Sequence, residues 1–174
     1  MSLGKYPGNE KGISLIELVV VLALLTVVLA AGFNFFSSGM TIFAFADKRA
    51  SVQQAVRLVS DAVTREIRYA EEAIIIDVSD PSAFADTGYN YIYQEGNTVK
   101  LRRKGSATGS PIAGAAGEVS LEINFSYVST DNILDYTVSG EQPGSAPYSV
   151  TASVMLLNAD SVEGEESGRA LKFR

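Results

Sequence analysis

The chain contains neither cysteine nor histidine among its 174 residues. The lack of cysteine excludes disulfides and thiol chemistry, and the lack of histidine excludes His-based catalytic triads and the usual zinc sites. Proline is absent between Pro7 and Pro81, so no hard stop interrupts a helix over that interval. The net charge of −6 argues against general binding to nucleic acid.

The sequence does contain a nearly continuous apolar run from Ile13 to Phe36. Between Leu18 and Phe33, only Thr26 carries a side chain with a polar atom. About 20 predominantly apolar residues suffice for a helix to cross the hydrocarbon core of a bilayer. The run therefore predicts a membrane-spanning helix.

One carboxylate, that of Glu17, lies inside this run. An ionised side chain in a membrane costs on the order of 2.5–3.5 kcal/mol at the helix centre and normally has a partner, yet the run contains no cation. A secretory signal peptide, with Lys5 and Lys11 as its basic region and cleavage near Ala30, would have a shorter apolar core and no use for an acid. A plain signal anchor also leaves Glu17 unexplained.

A newly made amino terminus could supply the missing cation. If the chain were cut between Gly12 and Ile13, the exposed α-amine would lie one helical turn from Glu17, about 6 Å along the axis. A neighbouring copy shifted by roughly one turn would then place its amine on this carboxylate. The acid would find its partner only on assembly.

These residues resemble the N-terminal motif of type IV pilins and of the related pseudopilins of type II secretion and competence systems. The matching residues are Lys11, Gly12, Ile13, Ser14, Leu15, Ile16 and Glu17. The resemblance implies a leader of residues 1–12, cleavage after Gly12 by a prepilin peptidase, and N-methylation of Ile13. It also assigns Leu15, Ile16 and Glu17 to subunit assembly. Ile13 stands where phenylalanine is commonest in the family, and it keeps the site apolar.

The helix is expected to continue to about Glu72, with residues 13–46 as its membrane and filament-core half and 47–72 as an amphipathic half. Small and apolar residues recur at spacings of three and four, with charged and polar residues on other faces, which indicates one face packed on a core. The apolar positions are Val52, Val56, Val59, Val63, Ile67 and Ala70, and the polar positions are Arg49, Gln53, Arg57, Asp61, Arg65 and Arg68. Gly32 and Gly39 each weaken the helix by about 1 kcal/mol, which predicts local bending or fraying there in a filament.

The remaining residues, 73–174, predict a β-rich head, and the whole chain therefore belongs to the α+β class: one long helix packed on an antiparallel sheet, the pilin fold. Short β-rich runs alternate with turn residues, and Glu95-Gly96-Asn97 is a hairpin signal. Residues 106–117, rich in Gly, Ala and Ser, predict a mobile loop. The predicted strands are 73–78, 89–94, 98–103, 119–128, 133–139 and 148–156.

Two clusters in the head raise the question of ligands. Lys100, Arg102, Arg103 and Lys104 with nearby tyrosines could contact DNA, but four cations in an acidic protein favour a solvated strand face. The acidic residues Asp131, Asp135, Asp160, Glu163, Glu165 and Glu166 could attract calcium, but they lack the alternation of a calcium loop. The sequence thus predicts no metal, no cofactor and no catalytic residue.

The hypothesis is a prepilin that is cleaved after Gly12 and assembles through its N-terminal helix into a type IV pilus or pseudopilus, more in the manner of a minor pilin. Its partners would be other pilin subunits, the prepilin peptidase, the membrane assembly machinery and, before assembly, lipid. It would span the cytoplasmic membrane once with its N-terminus in the cytoplasm, and would lie outside that membrane once polymerised. The alternative is a single-pass anchored binding module that never polymerises.

Overall fold

The computed structural model describes residues 12–76, 84–113, 119–127, 132–159 and 161–174. The predicted leader lies outside these ranges up to Lys11, as do Val78, Asp131 and Asp160. The chain forms two compact units, Met1–Ala44 and Phe45–Arg174. A single helix, α1 (Leu15–Ile67), contributes to both, and the strands all belong to the second. The α+β class predicted from the sequence is confirmed.

In the first unit, α1 is continuous through Gly32 and Gly39. The polar side chains of this stretch bond to carbonyl oxygens of the same helix: Thr26 to Ala23 at 2.7 Å and Asn34 to Ala30 at 3.0 Å. Such back-bonding satisfies a hydroxyl or amide without any outside partner. Bending at the two glycines was predicted for a filament and stays a prediction for that state.

In the second unit, α1 buries the apolar face that the sequence predicts. The predicted core positions are all at most 3% exposed, whereas Arg57, Asp61 and Arg65 are exposed. Burying one aliphatic side chain of this size contributes roughly 1.5–3 kcal/mol, so this face holds the helix on the head. The buried core positions are Val52, Val56, Val59, Val63, Ile67 and Ala70.

The helix ends at Ile67, earlier than the predicted Glu72. After it, the backbone of Glu71 and Glu72 pairs with Arg174: the Glu71 N–H donates to the Arg174 carbonyl at 2.7 Å, and the Arg174 N–H donates to the Glu72 carbonyl at 3.2 Å. Leu157 N–H donates to the Arg68 carbonyl, which caps the helix end. Pairing with a distant segment therefore overrides the local helical pattern.

Ten strands follow the helix within the described ranges. They are β1 (Ala73–Ile76), β2 (Asn90–Glu95), β3 (Thr98–Arg102), β4 (Ser110–Pro111), β5 (Ser120–Tyr127), β6 (Ile133–Glu141), β7 (Tyr148–Met155), β8 (Val162–Gly164), β9 (Ser167–Gly168) and β10 (Ala170–Phe173). The predicted strands of this region are confirmed in kind, and their described ends agree with the prediction to within one or two residues. Residues 77, 78 and 128, which were also predicted to be in strands, lie outside the described ranges. The β2–β3 hairpin is confirmed too, with Gly96 at φ 58° in its turn.

The strands form two sheets rather than the one antiparallel sheet predicted. The larger has the order β4-β3-β2-β10-β1-β8, and the smaller has the order β7-β6-β5-β9. Among the described strands, all pairs are antiparallel except β1 with β8, which is parallel. Buried side chains of α1 and of both sheets join in one apolar core.

The sequence did not predict three short strands in the C-terminal region, where the acidic segment suggested only solvated surface. Among them, β10 lies in the middle of the larger sheet, between β1 and β2, and buries Leu171 and Phe173. The predicted loop 106–117 is also partly wrong, since Ser110 and Pro111 pair with β3. Residues 114–117 of that loop lie outside the described ranges.

Candidate processing and assembly site

The predicted cleavage point lies just before the helix, on an accessible stretch of chain. Gly12, Ile13 and Ser14 are exposed and non-helical, and α1 begins at Leu15. Ile13 is 73% exposed. A Cβ built on Gly12 meets nothing within 4 Å, so this glycine is not required by packing in the described chain. Proteases favour exposed chain outside regular structure, and the Gly12–Ile13 bond meets that condition.

Glu17 lies in the first turn of α1. A carboxylate is stabilised at this end of a helix, where unpaired N–H groups carry partial positive charge. Its side chain is exposed, and no ion pair within the described ranges includes it. The helix dipole lowers the cost of the charge, but it leaves the carboxylate open to a cation from outside the chain.

The side chains around Glu17 are exposed hydrocarbon. Leu15 is 82% exposed and Ile16 is 71% exposed, and large apolar side chains continue to be about half or more exposed up to Phe45. An 18-residue stretch of α1 is long and apolar enough to cross a membrane and has no residue buried within the chain. A contiguous apolar surface of this size needs a bilayer or other chains to cover it.

The N-terminal segment also matches a known family model. Residues 7–33 match the model described as the prokaryotic N-terminal methylation motif. These residues carry the type IV pilin and pseudopilin signature. The pilin signature includes every residue predicted for processing and assembly, namely Gly12, Ile13, Leu15, Ile16 and Glu17. No curated protein and no solved structure matches the chain significantly.

The pilin signature and the exposed apolar helix together indicate a membrane anchor and a substrate of the prepilin-processing type. Proteins with this signature are typically structural and assemble with other pilins. The structure places Gly12 to Glu17 next to one another at the start of α1, as the sequence predicts. The roles of the individual residues in cleavage, methylation and assembly stay predictions.

Two cations of the basic cluster of the head, Lys100 and Arg103, are paired with carboxylates of the same chain. Lys100 pairs with Glu95 at 2.9 Å, and this hydrogen bond raises the pKa of Lys100. Arg103 makes two bonds to the carboxylate of Glu66, at 3.0 and 3.2 Å. Since these cations already have partners, they offer little free positive charge to a nucleic acid.

The tyrosines of the second strand stabilise the outer face of the larger sheet. Tyr91 is fully buried, and the Arg102 guanidinium lies 4.2 Å from its ring centroid. Phe84 packs on both Tyr91 and Tyr93, with centroid separations of 5.4 and 5.1 Å. These aromatic side chains are therefore packed against each other rather than displayed as a base-stacking platform.

A second polar cluster on this face links the segments that precede β1 and β2 to β10. The Tyr89 hydroxyl donates to Glu72 at 2.8 Å, and this bond raises the pKa of Tyr89. The Lys172 ammonium lies 3.8 Å from the Tyr89 ring centroid and 3.2 Å from the Asp86 carboxylate. The Gly88 N–H, which donates to Asp86 at 2.8 Å, lowers the pKa of Asp86, and Lys172 lowers it further.

The acidic tail forms no metal site in the described chain. Glu163, Glu165 and Glu166 are exposed, and no group of three acidic residues within the described ranges could hold an ion. Asp160 and Asp131 lie outside those ranges. Calcium binding at this tail therefore receives no support from the arrangement.

The sequence did not predict a groove in the head. It is an open groove of about 570 Å³ between the exposed side of α1, including Leu58 and Arg65, and the β3–β4 region, including Leu101 and Ile112. Leu58 is exposed and interrupts the polar face of α1. This exposed leucine is the local feature of the sequence that could have indicated the groove.

Proposed function

We propose that the chain is a prepilin whose mature form begins at Ile13. One observation supports this proposal: the N-terminal half of α1 is apolar and exposed, and its first turn contains one carboxylate. Residues 1–12 would be the leader, 13–46 the membrane and filament-core half of the helix, 47–72 the amphipathic half, and 73–174 the head. Prepilin peptidase would cut after Gly12 and the new terminus would be methylated.

Glu17 would pair with the α-amine of an adjacent subunit. Before assembly, lipid covers the apolar side chains of α1, so assembly exchanges lipid contact for helix contact and gains little from the hydrophobic effect. A buried charge pair, by contrast, distinguishes one axial register from all others. The pair therefore selects the register, and the surrounding Leu15 and Ile16 supply packing.

Several features favour a minor subunit of a pilus or pseudopilus over a major one. The sequence has no cysteine, so the head has no disulfide-closed loop, and α1 runs without a proline. Before assembly the subunit would cross the cytoplasmic membrane once, with its leader in the cytoplasm. After assembly it would lie in a filament with other pilin subunits, outside that membrane, and would act as a structural protein rather than an enzyme.

Mass spectrometry of the protein recovered from membranes and from sheared filaments tests this proposal. The expected N-terminal peptide begins at Ile13 and carries one added methyl group. Gly12→Asp should leave the precursor uncut, while Gly8→Asp, which adds the same acid elsewhere in the leader, should be cut normally. A protein that still begins at Met1 in wild-type cells would overturn the proposal.

A tethered binding module is the second candidate, and the groove beside Leu58 favours it. In that case the head would bind a ligand and α1 would serve only as an anchor. The two candidates separate on one variant: replacement of Glu17 would leave the tethered module unaffected, but it would reduce incorporation of a pilin into filaments.

A further inference from the structure

Asn124 lies in the middle of β5, on the outer face of the smaller sheet. It is exposed, whereas its neighbours Ile123 and Phe125 are buried on the inner face. Asparagine is depleted in strands, because its short amide competes with the backbone for hydrogen bonds and packs poorly on a pleated surface. Strand formation therefore gives no reason for an asparagine at this position.

The other asparagines of the described ranges each have a structural role. One of them, Asn97, belongs to the two-residue turn of the β2–β3 hairpin, where asparagine is favoured. The side chains of the remaining ones are hydrogen-bonded to the backbone, and they are Asn34, Asn90, Asn132 and Asn158.

The Asn124 amide makes no hydrogen bond of this kind within the part of the chain that the structure describes. The residue opposite it in β6 is Thr137. The hydroxyl group of Thr137 is already paired with that of Thr151, at 3.0 Å. The amide of Asn124 is thus left free on an exposed sheet face.

Asn124 is the first residue of the triplet Asn124-Phe125-Ser126. An asparagine followed by any residue except proline, and then by serine or threonine, is the acceptor sequence of N-glycosylation. None of the other six asparagines in the chain meets this condition. The asparagine that lacks a structural role in the described ranges is therefore also the one with the acceptor sequence.

The strand places the amide and the hydroxyl of the triplet on the same face. Residues i and i+2 of a strand point to the same side and lie about 7 Å apart along the chain. Asn124 and Ser126 accordingly share the outer face, and Phe125 between them is fully buried on the inner one. A sugar on the Asn124 amide would leave the apolar core undisturbed.

We propose that Asn124 is a site of N-glycosylation, with an oligosaccharide on a lipid diphosphate as the donor. The Asn124 Nδ2 atom attacks the anomeric carbon of the first sugar and forms a carbon–nitrogen bond. The bond from that carbon to the diphosphate oxygen breaks, and the lipid diphosphate leaves with the electron pair. The amide loses one proton to a base of the transferase.

Transfer of the glycan precedes completion of the smaller sheet. In the folded head, β5 is paired along its length with β6, and its residues Phe125 and Ser126 are also paired with β9. An enzyme that must bind the backbone of the acceptor sequence needs chain outside regular structure. Because β9 comes much later in the chain, β5 stays open on that side until β9 has been synthesised and has joined the sheet.

The surroundings of Asn124 suit a sugar. Thr137 lies opposite Asn124, and its neighbours Asp135 and Ser139 on the same face of β6 lie diagonally from it. Diagonal neighbours in a sheet are within reach of a long substituent, and these hydroxyl and carboxylate groups bond readily to sugar hydroxyls. A bulky glycan here would keep the outer face of the smaller sheet at the surface of any assembly.

The proposal rests on the proposed location of the head outside the cytoplasmic membrane, but not on cleavage after Gly12 or on filament formation. Mass spectrometry of the full chain, purified from the membranes of the cells that produce it, tests the site. The expected peptide containing residues 120–127 is heavier than its sequence by an oligosaccharide, and fragment spectra place the added mass on Asn124. Mild alkali, which removes sugars from serine and threonine by β-elimination, should leave this mass in place.

Variants of the triplet separate the acceptor from its neighbours. Asn124→Gln should lose the added mass completely, because the longer amide is not an acceptor. Ser126→Ala should lose it as well, whereas Ser126→Thr should keep it, since threonine satisfies the acceptor sequence. Ser120→Ala removes a hydroxyl from the same strand outside the triplet and should keep the added mass.

A wild-type chain without added mass would rule the site out. So would an added mass that survives Asn124→Gln or Ser126→Ala, that disappears in Ser120→Ala, or that mild alkali removes. The N-terminal peptide from the same sample distinguishes this failure from failure of the prepilin proposal. A chain that begins at Ile13 but carries no glycan would contradict only the glycosylation site.

Discussion

The phenolic oxygen of Tyr136 lies 2.7 Å from the hydroxyl oxygen of Ser60 and joins β6 to α1 in the core of the head. The same phenolic oxygen lies 2.7 Å from the Thr64 hydroxyl, and its own proton goes to the Ser60 carbonyl at 3.0 Å. It can therefore donate once and accept twice, which satisfies a buried hydroxyl completely. This network fixes both the rotation and the axial position of the helix on the smaller sheet.

Tyr136→Phe should lower the free energy of unfolding of the head by about 1–3 kcal/mol, because the Ser60 hydroxyl would stay buried without this partner. Urea unfolding of the full chain in detergent, followed by the far-UV signal of the sheets, measures the change. Tyr127→Phe removes a hydroxyl that bonds to the Gly164 carbonyl at an exposed site, and should cost no more than about 0.5 kcal/mol. Equal losses in the two variants would contradict the role of the network.

Gly140→Ala should also destabilise the head. A Cβ at this position would lie 2.7 Å from the Val56 Cγ2 atom, so α1 must shift away from β6. Overpacking of this kind costs typically about 1–3 kcal/mol. Because the clash involves a valine methyl group, Val56→Ala in the same chain should recover part of the loss. A double-mutant cycle on the urea midpoints measures this coupling, and additive losses would show that the two residues do not collide.

The Asp86 carboxylate stabilises the head, and this contribution is lost at acid pH. Its folded pKa lies below the ordinary value of 3.8, first because of the Gly88 N–H and then because of Lys172. Its contribution is therefore complete above pH 3.8 and is lost as the pH falls through the lower folded value. NMR titration of the Asp86 carboxyl should give a midpoint below 3.8, and Asp86→Asn should flatten the stability profile in this window. A midpoint at or above 3.8 would contradict the assignment.

Glu17→Leu should insert in the membrane and be cut after Gly12, yet be incorporated poorly into filaments. The change removes the charge that we propose selects the axial register, but it keeps the apolar surface. Thr26→Leu is the matched control, since the Thr26 hydroxyl bonds only to its own helix and its loss should not affect incorporation. Quantitative mass spectrometry of sheared filaments against membranes measures the ratio. Equal incorporation of Glu17→Leu and wild type would refute the charge-pair mechanism.

The elements that a local pattern determines could be predicted from the sequence. The buried face of α1 from Val52 to Ile67 follows helical spacing, and the hairpin follows from Gly96 in its turn. The residues predicted for processing and assembly form one contiguous motif, so sequence alone placed Gly12 and Glu17 together.

Elements that depend on distant partners could not be predicted. The strand β10 has only four residues, too few for a period to show, and it exists because β1 and β2 flank it. The early end of α1 has the same cause, since Glu71 and Glu72 pair with Arg174 instead of continuing the helix. The groove beside Leu58 required the β3–β4 pairing, which the Gly-rich composition of that segment concealed.

The central place of β10 has a consequence for biosynthesis. As the polypeptide emerges from the ribosome, β1 and β2 are synthesised long before β10, the strand that must fit between them, as the register of Ile75 with Leu171 shows. During that interval both strands present open edges, and closing the sheet carries the slow kinetics of non-local contacts. The nascent head is thus vulnerable to aggregation and to proteolysis until β10 has been synthesised, and a holding chaperone would help it most during that interval.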